Sequence, residues 1–296
     1  MIPEEQGFLL LTSHLGDPKR KPLTVAQFRE LTLRARQMEK KSEDRELLEE
    51  DLVSIGCGRE FAQRVLRLLS QQDQLQWYLE RGRSQGCIPV TRLNPSYPGR
   101  VRTMLALEAP GAFWAKGDLS LLDQPKLSLV GSRDLHPENR SFAQVVGMLA
   151  ARQGIVLVSG NARGADTVAQ ESCLRSGGRV ISVVADALEK LPEREGVLYL
   201  SEEGYDLPFT AQRAISRNRV IHTMAPRTVV AQCTLNKGGT WDGTVKNLKH
   251  GWSDVFCFRD GSTACRELSQ RGAIPVSAQE LPRAILSGSG NLSLFD

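Results

Sequence analysis

The fold of this chain is decided by residues 126–184, which read KLSLVGSRDLHPENRSFAQVVGMLAARQGIVLVSGNARGADTVAQESCLRSGGRVISVV. Short apolar segments that end near Gly or Ser alternate here with longer segments whose apolar residues recur at helical spacing. This alternation is typical of parallel βαβ units. We therefore predict an α/β chain with a mostly parallel sheet, helices on both of its faces, and strand ends that open onto one edge.

Two strand ends within this stretch carry small residues next to an arginine. These residues are Gly131, Ser132 and Arg133 after the first strand, and Ser159, Gly160, Arg163 and Gly164 after the second. Small residues let backbone amides approach an anion closely, and arginine adds a permanent charge in a fork that suits phosphate. We interpret the two loops as a phosphate-binding site, although glycines that only shape tight turns would give the same pattern. Neither loop matches GxGxxG or a P-loop, so no standard dinucleotide or nucleoside-triphosphate site is indicated.

A later predicted helix carries the consecutive residues Arg217, Asn218 and Arg219. Consecutive residues cannot share one helical face, but at a helix start their side chains can fan around a phosphate. In the alternative interpretation, one of the arginines pairs with Glu202 or Glu203 as a structural brace. Both interpretations remain open at the level of sequence.

A third anion-binding strand end is predicted after the strand at residues 228–231. Its residues are Lys237, Gly238, Gly239 and Thr240, which stand at the start of another helix. A helix start favours an anion, and Thr240 could either cap the helix or bind phosphate itself. Trp241 is the aromatic residue that we single out for a contact with a nucleic-acid base.

The order of these motifs resembles the DNA-processing protein A family, DprA or Smf, within the wider group of Rossmann-like SLOG folds. The resemblance is carried by GSR after the first strand, SGNARGAD after the second, GG before the third and the later RNR, across roughly residues 94–276. It implies a Rossmann-like sheet that binds the phosphate backbone of single-stranded DNA without reading its sequence. It also implies a homodimer formed through the far face of the sheet, and a role in DNA recombination and natural transformation through loading of a RecA-type recombinase.

The chain departs from the family pattern at three places. Gln170 stands where the family commonly has histidine, Gln232 stands near the usual glutamate, and residues 134–139 lack the usual glycine. These departures are typical of a divergent member. By resemblance, such a member could also act in phage defence or as the antitoxin-like partner of a toxin or effector protein.

We predict three parts along the chain: a small all-α domain at residues 1–85, the Rossmann-like domain at 86–285, and a flexible tail at 286–296. The first part resembles a SAM-like or helix-hairpin-helix domain, with helices predicted at 24–36, 44–52 and 59–69. Thr24 is the expected N-cap of the first of these, with Gln27 three residues on. Residues 71–86 are interpreted as a linker, and the Pro- and Gly-rich residues 88–118 as an extended lead-in to the sheet.

Composition narrows the class of protein. The 296 residues carry a net charge of +4, which is compatible with nucleic-acid binding without requiring it. No apolar run approaches the ~18 residues of a membrane span, and acidic residues stand where a signal peptide would be basic, so we expect a cytoplasmic protein with no membrane contact. The six cysteines are scattered and the four histidines show no ligand spacing, so we predict reduced cysteines, no metal and no cofactor.

No catalytic constellation can be assembled from the sequence. Related SLOG phosphoribohydrolases use a glutamate just after a GG-x-GT loop, whereas this chain reads GGTWDGT there. Asp166 and Asp242 are the only acids near the predicted site. We therefore expect a DNA-binding protein that is not an enzyme. The alternatives are a SLOG-type nucleotide-binding sensor or nucleotide-cleaving enzyme, and a regulatory subunit whose helical domain binds a partner protein.

Overall fold

The computed structural model describes residues 1–36 and 46–286 of the chain. Two expectations from the sequence lie outside these residues. One is the start of the helix predicted at 44–52, and the other is the tail beyond residue 286.

The described residues form one mixed sheet with helices on both faces. The strands are β1 Ile88–Thr91, β2 Ala112–Lys116, β3 Lys126–Val130, β4 Val156–Ser159, β5 Val180–Val184, β6 Val197–Glu202, β7 Arg227–Val230, β8 Asp254–Phe258 and β9 Ile274–Val276. The helices are α1 Pro3–Thr12, α2 Val25–Ala35, α3 Glu49–Ser54, α4 Arg59–Leu69, α5 Gln72–Ser84, α6 Gly99–Leu105, α7 Pro137–Arg152, α8 Ala165–Arg175, α9 Ala211–Met224, α10 Gly238–His250, α11 Thr263–Gln270 and α12 Leu281–Leu286. The α/β class and the mostly parallel sheet predicted from the sequence are confirmed.

The strand order is β1-β2-β6-β5-β4-β3-β7-β8-β9. Seven neighbouring strands run parallel, in the order β6, β5, β4, β3, β7, β8 and β9. Strands β1 and β2 extend the β6 edge of the sheet in antiparallel pairing. From β3 the chain builds outward through β4, β5 and β6, and it then returns to build the other side from β7. The reversal lies between β3 and β7, where Ser128 pairs with Thr228. Open parallel sheets bind ligands beside the carboxyl ends of the strands at such a reversal.

The central strands are short, continuous apolar runs because helices cover both of their faces. Every residue of β4 and β5 is buried. Helices α7 and α8 pack on one face of the sheet, and α9 and α10 pack on the other. This arrangement holds the loops that follow β3, β4, β5 and β7 at one edge.

The helices before the sheet are packed in two different ways. Helices α2, α3 and α4 share a small core of their own, whereas α1 and α5 contribute to the core that lies against the sheet. The predicted capping box at the start of α2 is confirmed, since Thr24 and Gln27 exchange hydrogen bonds of 3.1 and 3.2 Å. The interpretation of residues 71–86 as a linker is wrong. This segment forms α5, whose Leu75 and Tyr78 are buried on the sheet side.

The six cysteines, all within the described residues, are free thiols. Five of them are buried, and burial raises the pKa of Cys87 and of Cys173 to about 11. Neither described part of the chain contains a helix both long and apolar enough to cross a membrane.

Candidate functional site

A cleft of about 180 Å³ opens at the carboxyl edge of the sheet. We call it the arginine cleft, and its lining residues are Arg133, Asn161, Ala162, Arg163, Ala185, Asp186, Phe209 and Arg217. These residues come from the loops after β3, β4, β5 and β6 and from the second turn of α9. The cleft thus brings together three of the arginines that the sequence singled out.

Arg217 is the least exposed of the three arginines in the cleft, at 8%. Its Nη1 donates a hydrogen bond of 2.6 Å to the Val183 carbonyl at the end of β5, and its Nη2 lies 3.9 Å from Asp166 Oδ2. Its Nε has no hydrogen-bond partner among the described residues. A Cβ at Gly160 would overlap both the guanidinium and the Asp166 carboxylate, so glycine at this position makes room for the ion pair.

The Asp166 carboxylate offsets the charge of Arg217 only in part. Asp166 is fully buried, and burial raises its pKa, while the neighbouring Arg217 opposes that rise. Burial also lowers the pKa of Arg217, although an arginine remains protonated at neutral pH. A buried cation favours an additional anion when its counterion is distant and burial disfavours the ionised form of that counterion.

Two exposed arginines stand at the mouth of the cleft. Arg133 makes no side-chain hydrogen bond or ion pair with any described residue. Arg163 pairs with Asp134 at 2.6 Å, but the two side chains are 76% and 86% exposed. Such an exposed pair contributes little stability, so an incoming phosphate can replace Asp134 at small cost.

Backbone and amide hydrogen bonds tie the loops after β3, β4 and β7 together. The Ala165 amide donates to the Ser132 carbonyl at 3.1 Å, and the Ser132 amide donates to the Gln232 carbonyl at 2.9 Å. The Gln232 side chain accepts from the His136 amide at 2.9 Å and donates to the Asp134 carbonyl at 3.1 Å. One of the departures from the family pattern thus braces the loop that carries Arg133.

Two further residues support the loop after β4. Gly164 has φ +90, and a Cβ there would strike the carbonyls of Ser132 and Arg133, so this close approach requires glycine. Gln170, a second departure from the family pattern, donates from Nε2 to the Gly160 carbonyl and to Ser182 Oγ. The side chain of Gln170 thus supports the loop after β4, and the side chain of Gln232 supports the loop after β3.

The strand end after β7 lies beside these loops but outside the cleft lining. Lys237 is exposed and precedes the first turn of α10. The Thr240 hydroxyl donates to the Gly131 carbonyl at 3.0 Å, and Asn218 Nδ2 donates to the Gly239 carbonyl at 3.1 Å. Thr240 therefore joins two strand ends rather than capping the helix, which corrects one of its two predicted roles.

The RNR segment lies within α9 and not at its start, so the expected fan of side chains around one phosphate does not form. Arg219 points away from the cleft and donates 2.6 Å hydrogen bonds to the Glu108 carbonyl and to Glu202 Oε2. Burial raises the pKa of Glu202, and the adjacent Arg219 opposes the rise. The brace interpretation thus holds for Arg219, while Arg217 faces the cleft.

The prediction of Trp241 as a base contact is wrong, because Trp241 is 4% exposed within the core. The aromatic residue at the cleft is Phe209, which is 49% exposed in the loop after β6. Sequence reasoning missed it, although an aromatic directly after a proline in a loop is a usable signal. Asp186, which follows β5 and lines the cleft, was missed as well.

Arg213 is a further residue that the sequence reasoning missed. It lies one helical turn before Arg217 and donates to the carbonyls of Ala185 and Leu207 at 2.6 and 2.8 Å. It also donates to Ser201 Oγ at 2.7 Å. These bonds hold together the loops after β5 and β6, and thereby position Phe209.

The arrangement is suited to holding a single anionic group with an aromatic ring beside it. The buried Asp166 serves as the partner of Arg217, and Asp242 is exposed on α10. Within residues 1–36 and 46–286, no group of three or more His, Cys, Asp or Glu side chains could hold a metal ion.

Comparisons with known proteins agree with this fold. Residues 89–282 match the model of the family described as DNA recombination-mediator protein A. The chain is 30% identical over 186 residues to DNA processing protein DprA of Streptococcus pneumoniae, covering 58% of this chain and 65% of that protein. It is 28% identical over 200 residues to protein Smf of Escherichia coli, covering 62% and 52% of the two chains. The chain thus spans about half to two thirds of the length of these curated relatives.

Two solved structures are similar over larger shares of their chains. The crystal structure of DprA from S. pneumoniae has a TM-score of 0.73 and 26% identity, covering 95% of this chain and 97% of that one. The structure of DNA processing protein A from Helicobacter pylori has a TM-score of 0.58 and 22% identity, covering 68% and 96%. The second likeness shows a shared fold.

Proposed function

Since the chain belongs to the DNA recombination-mediator protein A family, we propose that it binds single-stranded DNA through the phosphate backbone and acts in DNA processing. The observation that carries the proposal is the convergence of Arg133, Arg163 and Arg217 on one cleft that also holds the exposed ring of Phe209. The H. pylori relative is described by its single-stranded DNA binding mode, which supports the same ligand class here.

In the proposed complex, Arg133, Arg163 and Lys237 contact phosphates from exposed positions, and Arg217 holds one phosphate at the cleft floor. Phe209 stacks on a base, which tolerates any sequence because every base has an aromatic face. The remaining residues of the site shape the loops or support these side chains. They are Gly131, Ser132, Ser159, Gly160, Gly164, Asn218, Arg219, Gly238, Gly239 and Thr240.

We further propose that this binding serves recombination, with a homodimer that loads a RecA-type recombinase on the strand. The family's description as a recombination mediator supports this role. Size measurement of the chain alone, and with a RecA-type recombinase on single-stranded DNA, tests both parts. A monomer at all concentrations would contradict the proposed homodimer. Recombinase assembly on the strand that is the same with and without this chain would contradict the loading role.

Titration of a labelled oligothymidylate at two salt concentrations tests the binding function. We expect affinity to fall steeply with salt, since backbone binding releases counterions. Arg133→Gln, Arg163→Gln and Lys237→Gln should each weaken binding about fivefold and reduce the salt slope by about 0.7. The proposal would be contradicted if the chain did not bind the oligothymidylate at low salt, or if its affinity did not depend on the salt concentration.

The matched control is Arg175→Gln. Arg175 is also exposed, but it lies at the end of α8, at the opposite edge of the sheet from the cleft. The substitution removes the same charge and should leave the affinity unchanged within about twofold, because exposed charges beyond the Debye length of ~10 Å are screened. Equal losses in all four variants would indicate a general charge effect and would remove the assignment of the site.

A nucleotide-binding sensor is the second candidate function, because Asp186 lines the same cleft as the arginines. A carboxylate beside a phosphate site can accept a hydrogen bond from a ribose hydroxyl. Calorimetry with ribo- and deoxyribonucleoside monophosphates tests this candidate. Binding of the ribonucleotide together with no binding of oligothymidylate would favour the sensor over the DNA-binding protein.

A further inference from the structure

The arginine cleft differs from an open groove because its deepest cation is closed in by protein. Arg217 is 8% exposed, whereas Arg133, Arg163 and Phe209 are exposed at the mouth. A continuous nucleic-acid backbone lies readily along an exposed surface, since it must enter and leave. A group that reaches Arg217 must instead enter the cleft end first.

The floor of the cleft has unused capacity for an anion. Arg217 Nε is buried without a hydrogen-bond partner among the described residues, and the Asp166 carboxylate lies as far as 3.9 Å from Nη2. The guanidinium of Arg217, which lines the cleft, can therefore form a closer charge-assisted hydrogen bond with a ligand oxygen than it forms with Asp166. The charged groups closest to Arg217 are the carboxylates of Asp166 and Asp186 and the guanidinium of Arg133.

The volume and charge of the cleft suit one phosphate rather than a run of phosphates. About 180 Å³ is less than the ~300 Å³ at which pockets for whole small molecules begin, so a phosphate and part of its sugar would fill it. Asp186 lines the same space, so a second phosphate inside the cleft would meet a like charge. The base attached to that sugar would lie outside, against Phe209.

A terminal phosphate fits this site better than an internal phosphodiester. A phosphomonoester carries a charge of about −1.5 to −2 at pH 7 and presents three acceptor oxygens. An internal phosphodiester carries a single negative charge and is attached to chain on both sides. Three guanidinium groups that converge on one small space therefore discriminate in favour of the monoester.

We infer that the arginine cleft binds the phosphorylated end of a DNA strand, with the terminal phosphate on Arg217, Arg163 and Arg133 and the terminal base on Phe209. This inference deepens the proposed function and rests on it. The chemistry recognised is a phosphomonoester, which a strand can carry at its 5′ or its 3′ end.

The test compares four forms of one oligothymidylate of about 20 nucleotides. The forms are 5′-phosphorylated, 3′-phosphorylated, unphosphorylated at both ends, and covalently circular. We expect the full chain to bind one of the two phosphorylated forms at least about fivefold more tightly than the unphosphorylated and circular forms. The form that is preferred identifies the end that enters the cleft.

Variants connect that preference to the cleft. Arg163→Gln changes an exposed residue and should reduce the preference to about twofold or less, and Arg217→Lys should do the same because lysine cannot offer a bidentate fork. Arg175→Gln should keep the full preference. A thermal melt of each variant confirms folding, and Arg163→Gln keeps the test decisive if Arg217→Lys does not fold.

The outcomes separate the inference from the proposed function. Equal, salt-dependent binding of all four forms would overturn end recognition and leave single-stranded DNA binding intact. A preference that survives both cleft variants would also overturn the inference, since it would arise elsewhere on the chain. No binding of any form would overturn the proposed function itself.

Discussion

At the scale of single residues, Gly160 controls whether Arg217 can lie at the cleft floor. A Cβ at this position would overlap the guanidinium of Arg217 and the carboxylate of Asp166, both of which are buried. Since the surrounding core is closely packed, the ion pair cannot shift freely to make room. The chemistry of the cleft therefore depends on the absence of one methyl group.

Gly160→Ala should destabilise the protein by about 1–3 kcal/mol, because overpacking forces buried side chains out of position. It should also weaken DNA binding by displacing Arg217. Urea denaturation and oligothymidylate titration measure the two effects. Gly7→Ala is the control, since a Cβ at Gly7 meets no atom within 4 Å and alanine favours the helix. Equal stability of the two variants would contradict the prediction.

A second residue, His222, links stability to pH. His222 is fully buried on α9, and Asn247 Nδ2 lies 2.9 Å from its Nδ1. Burial lowers the pKa of His222 to about 3, below the ordinary value of about 6.5. The unfolded chain therefore takes up a proton at a higher pH than the folded chain does. Stability from this residue is present above about pH 6.5 and is lost as the pH falls towards 3.

Between pH 7.5 and pH 5.0, His222 should lower the free energy of unfolding by about 2 kcal/mol. His222→Gln should remove this part of the pH dependence, whatever its effect on stability at pH 7.5. Urea denaturation at the two pH values provides the measurement, and His250→Gln, which changes an exposed histidine, should retain the dependence. An unchanged pH dependence in His222→Gln would show that another group is responsible.

At the scale of elements, α5 holds the loop that carries Phe209. Tyr78 on α5 donates a 2.6 Å hydrogen bond to Asp206 Oδ1, and its ring stacks on Tyr205 at 4.5 Å. Arg81, one turn further on, pairs with Glu189 at 2.7 Å and lies 3.6 Å from Asp206. A helix from the amino-terminal part of the chain thus fixes one wall of the arginine cleft.

Tyr78→Phe removes the hydroxyl while keeping the ring, and it leaves the half-buried Asp206 without that donor. We expect a loss of about 1–3 kcal/mol in stability and faster amide exchange at residues 203–210. Hydrogen exchange by mass spectrometry measures the second effect. Tyr199→Phe is the matched control, since the Tyr199 hydroxyl bonds to no described residue. Exchange at residues 203–210 that equals the control would contradict the coupling.

At the scale of the whole molecule, the described chain contains two levels of packing. The helices α2, α3 and α4 rest on a small core that includes Leu31, Leu52 and Val65, while the sheet is covered by larger cores on both faces. A region with few buried apolar contacts opens at lower free energy than one with many. The small core should therefore open without the sheet.

Leu31→Ala should lower hydrogen-exchange protection in α2 to α4, because a cavity in a small core costs about 2–5 kcal/mol. Protection in β3 to β5 should stay unchanged. Leu157→Ala, at a fully buried position in β4, should instead lower protection across the sheet. If Leu31→Ala lowered protection in the sheet to the same extent, the two cores would form one cooperative unit.

The whole-molecule scale also shows how far sequence reasoning reached. The helix predicted at 59–69 agrees with α4 at both ends, and Thr24 caps α2 as expected. The linker prediction for residues 71–86 is wrong because the many glutamines and charged residues obscure the helical spacing of Leu75, Tyr78 and Leu79. That spacing becomes meaningful only once a sheet is available to bury it.

By itself, the sequence determined the βαβ alternation, the helix caps and the grouping of small and cationic residues at strand ends, because each depends on neighbours a few residues apart. Only the tertiary structure decided that Arg217 faces the cleft while Arg219 forms an ion pair with Glu202, and that Phe209 rather than Trp241 is exposed. These outcomes depend on how α9 and α10 rotate against the sheet. The hydrogen-bond partners of the two arginines are distant in sequence: Val183 lies 34 residues from Arg217, and Glu108 lies 111 residues from Arg219. No local sequence pattern spans such separations.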